Sequence, residues 1–230
     1  MRGNGNMTTR DELRRAGAAM RQKLGFPANI PETELAPGMD RLAEEFVWGS
    51  IWARPGLALD DRMLVVLSAL TSKQRLQQLR RYIGAAMHIG MPPRTIQEVF
   101  IHCGLYSGFP AILNALSLAT DEFAEQGITV PDAELPGLDA EGLMTLGRAT
   151  MQKLHGERAE RGYAAPGNTT TAALYPTAIA YGYGDLWNRP GLDHRQRMIC
   201  AVAAFTAIDL LPQLAKFAQS ALNTGLTREQ

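Results

Sequence analysis

Apolar residues recur along the chain with the spacing of amphipathic and buried helices, and no segment keeps the alternation of a β-strand over several turns. The segment 62–70, RMLVVLSAL, is apolar nearly all round, which is typical of a buried central helix. Before position 131 the pattern predicts helices over residues 11–25, 38–52, 62–70, 72–90, from Pro92 onward, and 112–127. It therefore predicts an all-α fold.

The residues at the ends of these segments favour the same assignment. Asp60 lies in the first turn of the central helix, where a carboxylate interacts favourably with the helix dipole. Gly90 is a natural helix C-terminus, and Pro93 follows it, since proline is tolerated in the first turn of a helix. Gly108 then interrupts the helix that starts at the prolines.

An internal repeat relates the two parts of the chain. Residues 52–63 read WARPGLALDDRM and residues 187–198 read WNRPGLDHRQRM, so that Arg54 aligns with Arg189, and the match continues without a gap through the next predicted helix. Upstream, RQKLG at 21–25 matches MQKLH at 151–155. A collinear match of this kind indicates tandem duplicated helical units.

We therefore predict two units, residues 1–130 and residues 131–230. The step from Arg54 to Arg189, here called the repeat offset, carries Glu98 to a position beyond Gln230, so the second unit lacks the equivalent of the helix that bears Glu98. Because the match breaks off where that helix should begin, we expect the sequence to be truncated there.

Composition and charge exclude several classes of protein. Lys plus Arg equals Asp plus Glu at 23 each, which argues against broad binding of nucleic acid. The apolar runs are far shorter than the roughly 20 residues that span a bilayer, and the N-terminus has no apolar signal segment. The two cysteines, Cys103 and Cys200, give no disulfide framework. We expect a cytoplasmic protein.

Three polar residues stand at steps of four in an apolar helix: Glu98, His102 and Tyr106. On a helix they share one stripe. One interpretation is a core histidine that bonds Glu98 and fixes the helix; the other is acid–base catalysis, in which Glu98 orients the ring and raises its pKa. His88, His155 and His194 show no metal-ligand spacing, and no phosphate loop follows a strand, so we expect no metal and no other cofactor.

The combination of these motifs resembles the carboxymuconolactone decarboxylase family. It consists of W-x-R-P-G-L, a charged start to an apolar helix, a helix that ends at glycine, and E-V-x-x-H-x-x-x-Y-x-G-x-P, with the best match from FVWGSIWARPGL through QEVFIHCGLYSGFPAILNAL. The resemblance implies an all-α fold related to the alkylhydroperoxidase D family. Its units pair tightly and build hexamers of single units or trimers of double ones, so the two repeats here would form a pseudo-dimer.

This sequence departs from the family pattern at two positions. Tyr82 stands where relatives carry a catalytic histidine, and Met63 stands where a glutamate commonly follows the arginine. The cysteines of the peroxidase branch would fall at Arg75 and Gln78, so thiol peroxidase activity is not expected.

The leading hypothesis is a cofactor-free lyase or isomerase that acts on a small lactone or related carbonyl acid through an enolate. His102 would be the acid or base, Glu98 its orienting partner, and Tyr106 and Tyr82 donors to the oxyanion. Arg62 and Trp52 are the candidate substrate contacts, although a structural ion pair and a core anchor would explain the same two residues.

The alternative is a scaffold or small-molecule-binding member whose site has lost its chemistry. The feature that discriminates the two hypotheses is whether Glu98 and His102 share a cavity with Tyr82, and a pair sealed among apolar side chains favours the alternative. In either case the amount of apolar surface predicts a homo-oligomer, a trimer of two-repeat chains.

Overall fold

The computed structural model describes residues 9–27, 36–132, 134–135, 137–161, 165, 167–171 and 174–230. Every regular element in these ranges is helical, which confirms the predicted all-α fold. No helix among them has both the length and the apolar character needed to cross a membrane.

Ten α-helices, two π-helices and two short 3₁₀ turns make up the described part of the chain. In the first half these are α1 Arg10–Lys23, α2 Met39–Leu42, which continues as π-helix π1 Ala43–Trp52, α3 Leu59–Ser72, α4 Leu76–His88, α5 Pro93–Ser107 and α6 Phe109–Glu125. In the second half they are α7 Ala140–His155, the turn Gly156–Arg158, α8 Tyr175–Thr177, which continues as π2 Ala178–Leu186, α9 His194–Ala207, α10 Leu211–Ala221 and the turn Leu222–Thr224.

Local sequence explains where several helices begin. Thr9 caps α1 and Asp193 caps α9, each through a reciprocal capping box with the residue three positions on. Proline opens α5, as expected from the sequence. Gly90 ends the α4 segment with φ at 87°, a conformation that L-residues rarely adopt.

The predicted helix over residues 38–52 forms mostly as a π-helix, a departure that the apolar spacing did not indicate. The helix lies close to α1, because a Cβ added at Gly17 would stand 2.2 Å from the Glu44 carbonyl oxygen. The second half repeats this contact, since a Cβ added at Gly147 would stand 2.2 Å from the Ile179 carbonyl oxygen. Glycine is therefore required where the two backbones meet.

The helices of the two halves correspond at the repeat offset. Both ends of α3 map onto both ends of α9, and α4 begins where α10 does. The match extends to strained positions, since Gln74 with φ 53° maps onto Asp209 with φ 59°. Common ancestry of the halves, and a boundary after residue 130, remain predictions.

The helices α3 and α9 pack against each other at the centre, and α5 packs across both of them. One large core cluster joins the halves, because Cys200 and Ala204 of α9 pack with Val99 and Phe100 of α5. The position of α5 is important for the site, because polar residues of this first-half helix contact residues of the second half.

Candidate active site

Glu98 is fully buried and held by two arginines from the second half. The Nε of Arg189 lies 3.1 Å from both carboxylate oxygens, and its Nη2 lies 2.9 Å from Oε1. The Nη2 of Arg197 lies 3.3 Å from Oε2. A carboxylate gripped in this way is a structural clasp between the halves, because its lone pairs are already used.

The predicted pairing of Glu98 with His102 is therefore wrong. The two residues are one helical turn apart, but the guanidinium groups supply stronger, charge-assisted partners for the carboxylate. Burial, together with the nearby charge of Arg197, lowers the pKa of His102 well below its ordinary value, so the ring is neutral. The expected rise in basicity is replaced by the opposite shift.

His102 instead contacts Tyr106, the third member of the stripe. Its Nε2 lies 3.3 Å from the Tyr106 hydroxyl, and its ring stands edge-on to Trp187 with centroids 4.8 Å apart. The Nδ1 atom of His102 is buried and has no hydrogen-bond partner among the described residues. Of the three residues in the stripe, only Tyr106 lines a cavity among the described residues.

Arg62 and Trp52, the two predicted substrate contacts, both make contacts that stabilise the fold. Arg62 donates hydrogen bonds to the backbone carbonyls of Ile51, Arg54 and Pro55, and so holds the turn before α3. Trp52 is 5% exposed and stacks on Tyr82, with ring centroids 5.8 Å apart and an interplanar angle of 12°. The core anchor that the sequence left open for Trp52 fits its contacts, whereas the structural ion pair left open for Arg62 does not form among the described residues, because its guanidinium binds backbone carbonyls.

Tyr82 lines a cavity of about 710 Å³ in the first half, here called the Tyr82 cavity. Its other walls include Phe26, Trp48, Arg81 and His88. Burial raises the pKa of Tyr82 to about 12, so the phenol stays protonated at neutral pH. Neither Glu98 nor His102 lines this cavity, so the structure does not bring the four predicted catalytic residues together.

Tyr106 lines a second cavity of about 460 Å³, here called the Tyr106 cavity. Two cations, Arg161 and Lys216, face it, together with the hydroxyl-bearing Tyr175 and Tyr183. The remaining lining residues are apolar, except for one amide, and none carries a carboxylate: Leu105, Ala178, Trp187, Phe205, Leu210, Pro212, Gln213 and Phe217. Its charge therefore favours an anionic ligand.

A hydrogen-bond chain runs from Tyr183 into the protein. The Tyr183 hydroxyl lies 3.0 Å from Nε2 of His155, whose Nδ1 lies 2.8 Å from Oγ of Ser220. Because the Ser220 hydroxyl donates to the Lys216 carbonyl, its oxygen accepts from Nδ1–H, and Nε2 accepts from Tyr183. Arg158 also donates to Ser220, at 3.1 Å.

His155, in this hydrogen-bond chain, and Lys216, beside it, both have lowered pKa values. Burial lowers the pKa of His155 to about 3, with help from the charges of Lys216 and Arg158, so its ring is neutral. Burial, followed by repulsion from Arg158, lowers the pKa of the Lys216 ammonium. Lys216 is thus a stronger acid than an exposed lysine.

Sequence reasoning missed Tyr183, His155, Lys216 and Arg189. It weighed His155 only as a metal ligand, and the partners of that ring lie 28 and 65 residues away in the chain. The repeat held a usable signal: His155 replaces Gly25 in the upstream match, and Lys216 keeps the positive charge of Arg81.

The cysteines and possible metal ligands point to no further chemistry. Cys103 and Cys200 are free and buried, and burial raises the pKa of Cys200 to about 11 and that of Cys103 further, which suppresses the thiolate. Within the described ranges, no three His, Cys, Asp or Glu residues are grouped as a metal site would require.

Comparison with known proteins finds one matching family profile and several similar proteins. The profile of the carboxymuconolactone decarboxylase family matches residues 37–121. A 4-carboxymuconolactone decarboxylase of Acinetobacter baylyi is 36% identical over 83 residues, which are 36% of this chain and 62% of the relative. A nitrosuccinic acid decarboxylase of Metarhizium robertsii is 30% identical over 80 residues, which are 35% of this chain and 55% of the relative.

A third relative, an uncharacterized 15.0 kDa protein of Paracoccus denitrificans, is 30% identical over 95 residues, which are 40% of this chain and 71% of that protein. The chain spans less than two thirds of the two named decarboxylases. Residues 37–121, which match the family profile, include most of the lining of the Tyr82 cavity. They also include α5, which carries Tyr106.

Proposed function

Because the chain belongs to the carboxymuconolactone decarboxylase family, we propose that it is a cofactor-free carboxy-lyase. Its substrate is a small lactone or related carbonyl acid, bound in the Tyr106 cavity. Relatives that are named decarboxylases support this reaction type.

The observation that carries the proposal is the lining of the Tyr106 cavity. Two cations and three tyrosines face a space whose other walls are mainly apolar, with no acidic side chain among its lining residues. A substrate carboxylate and a developing enolate oxygen are both anionic, so both are stabilised there, and more strongly than in water because the site is partly dry.

Loss of carbon dioxide breaks the bond between the carboxylate carbon and its neighbour and leaves the electron pair on that neighbour. In a β-carbonyl acid the pair delocalises into the carbonyl oxygen, and in a β,γ-unsaturated acid it does so through the double bond where that bond is conjugated with a carbonyl. The apolar wall of Phe205 and Phe217 suits the departing neutral CO₂, while Lys216 and the Tyr106 hydroxyl suit the oxygen that gains charge. Substrate orientation then decides which bond breaks.

Tyr106 acts as a donor to the enolate oxygen, and His102 positions it. We place the proton of neutral His102 on Nε2, the nitrogen that faces the Tyr106 hydroxyl. The Tyr106 oxygen then accepts from Nε2, and its hydrogen is free for the substrate. Glu98 contributes only by clasping α5 to Arg189 and Arg197.

Lys216 supplies the proton that the carbanion takes up. Its lowered pKa makes it a stronger acid than an ordinary lysine, and the charge of Arg158 helps to keep it so. Tyr183 is held by His155 and fixes the wall beside it. Water afterwards returns the proton to Lys216.

The proposal is tested by incubating the purified chain with small 3-oxo acids and unsaturated lactone acids and measuring CO₂ release. Tyr106→Phe should lower kcat by roughly 10²–10³, the usual cost of losing one oxyanion donor. Tyr82→Phe, the matched change in the other cavity, should leave kcat within about twofold of the wild type. Turnover that needs Tyr82 and not Tyr106 would place the reaction in the Tyr82 cavity.

A second candidate is a binding protein without catalysis. It is favoured by the sealing of Glu98 and His102, which removes the acid–base pair that the sequence predicted. Such a protein would bind small dicarboxylates, with a change in the fluorescence of Trp187, and would release no CO₂ from any acid that it binds.

We also propose that the chain assembles as a trimer of two-repeat chains. Phe46 on π1 and Tyr181 on π2 occupy matching positions of the two halves and are 55% and 54% exposed. Large exposed apolar side chains in matching places are typical of symmetric contacts. Sedimentation velocity should give a species of three chains, and a clean monomer would contradict this.

A further inference from the structure

Two pairs of arginines occupy matching positions of the halves but differ in their partners. Arg189 and Arg197 share the carboxylate of Glu98. Arg62 instead donates only to backbone carbonyls, and the Arg54 side chain has no hydrogen bond or ion pair among the described residues. Burial, followed by the charge of Arg54, lowers the pKa of Arg62. The first-half pair thus lacks the anion that its counterpart binds.

An apolar groove of about 810 Å³ includes Leu57, three residues after Arg54, in its lining, and neither arginine of the pair lines it. Leu226 and Arg228 of the last residues line one part of it, while α3, α9 and α10 contribute Val65, Ala69, Val202, Thr206, Ala218 and Ala221. Thr206 and Ala218 are exposed, and the other four helix residues are partly exposed. The groove is therefore open along its length.

The same positions in the other half are closed. The residues that match the groove lining at the repeat offset are Cys200, Ala204, Leu67, Thr71, Ile83 and Ala86, and each of them has no exposed surface. The helices α5 and α6 cover them, since α5 packs on α3 and α9 while α6 packs on α4 and α5. The groove is thus the footprint of an α5-like helix.

The course of the last residues supports this interpretation of the groove. Beside Gly191, the nearest backbone atom to an added Cβ is the Arg94 oxygen of α5, at 3.7 Å. Beside Gly56, which matches Gly191, it is the Glu229 oxygen, at 4.0 Å. Arg94 and Glu229 are themselves related by the repeat offset, so the backbone follows the path of α5 into the mouth of the groove.

We propose that the groove and Arg54 form a docking site for an amphipathic helix with the pattern of α5. Such a helix presents apolar residues at the spacing of Ile96, Val99, Phe100 and Cys103, all without exposed surface in α5. It also carries a carboxylate at the place of Glu98, which binds Arg54 and Arg62 as Glu98 binds the second-half pair. This inference concerns a partner surface and does not depend on the proposed reaction.

The experiment uses the full chain and a fluorescein-labelled peptide of residues 92–110, PPRTIQEVFIHCGLYSGFP, under reducing conditions. Fluorescence anisotropy should show saturable binding of one peptide per chain. Replacing Glu98 by Gln in the peptide, or Arg54→Gln in the protein, should each weaken binding about tenfold or more. The two changes together should cost little more than either alone, because they remove the same contact.

Two controls locate the contact. Arg148→Gln removes an exposed arginine of α7 that lies outside the groove lining, and it should leave the affinity unchanged. The methyl resonances of Val202 should shift on binding, which distinguishes docking in the groove from displacement of the chain's own α5. Val202→Glu should abolish binding, since it places a charge in the apolar floor.

Several outcomes overturn the proposal. Absence of saturable binding does so, as does binding that ignores both the Glu98 and the Arg54 changes. Sedimentation that shows a second copy of the chain covering the groove, with Val202→Glu dissociating it and the peptide unable to compete, would assign the groove to self-association instead.

Discussion

The Tyr82 cavity and the Tyr106 cavity occupy matching places in the two halves but are built from different side chains. Trp48 in the first corresponds to Tyr183 in the second, while Arg81 corresponds to Lys216. In the first cavity the Tyr82 ring stacks on Trp52. In the second, a hydroxyl leads through His155 to Ser220.

In the proposed function, the position of a cavity within the repeat does not decide whether that cavity carries the chemistry. The family match lies in the first half, yet α5 extends Tyr106 into the cavity of the second. The proposed site is therefore shared between the halves, with a positioned phenol from one and an acidic lysine from the other. Loss of either contribution should matter more than any change in the Tyr82 cavity.

The largest expected effect is the difference in kcat/KM between variants of Lys216 and Arg81, the matching cations of the two cavities. Lys216→Met should lower kcat/KM by roughly 10²–10⁴, because it removes the proposed general acid. Arg81→Met should change kcat/KM by less than about threefold. Steady-state kinetics of both variants on one carbonyl acid measures these effects. A larger loss of kcat/KM in Arg81→Met than in Lys216→Met would contradict the assignment of the reaction to the Tyr106 cavity.

The arginine pairs give a second contrast, in stability. Glu98→Gln should reduce the free energy of unfolding by about 3–5 kcal/mol, because it leaves the buried Arg197 guanidinium and the partly buried Arg189 guanidinium without their carboxylate. Arg54→Gln, at the unpaired position of the first half, should change it by less than about 0.5 kcal/mol. Urea unfolding followed by circular dichroism measures both, and equal effects would refute the clasp.

The buried histidine makes the second half sensitive to acid. The pKa of His155 is about 3 in the folded chain, below its unfolded value, so the unfolded chain binds the proton first as pH falls. Stability should therefore be full above about pH 6.5 and decline by up to about 1.4 kcal/mol per pH unit below it.

His155→Gln should make this acid dependence shallower. His88→Gln, an exposed change at the Tyr82 cavity, should leave it as in the wild type. Urea unfolding between pH 4 and 7 supplies the curves. An unchanged slope in His155→Gln would mean that the ring is not held neutral.

The smallest expected effect is on the pH profile of activity. In the proposed reaction the Lys216 ammonium donates the proton, so activity should fall as pH rises through its lowered pKa. Arg158→Gln removes a positive charge that depresses this pKa, and the alkaline limb of kcat should move to higher pH. A limb that stays in place would argue that Lys216 does not titrate in the reaction.

Much of the helical pattern was predictable, whereas the site was not. The starts of α5 and α9 follow from proline and capping residues near them in sequence, which act locally. Spacing along one helix predicted His102 as the partner of Glu98. The tertiary structure instead supplies Arg189, which lies 91 residues away in the chain. The π-helical form of residues 43–52 likewise left no signal in the apolar spacing.

The most direct test of the account is a crystal structure of the chain with a small dicarboxylate that inhibits turnover. We expect one carboxylate in the Tyr106 cavity, within hydrogen-bonding distance of Lys216 Nζ and the Tyr106 hydroxyl. A dicarboxylate bound beside Arg81 in the Tyr82 cavity, with the Tyr106 cavity empty, would contradict the central claim.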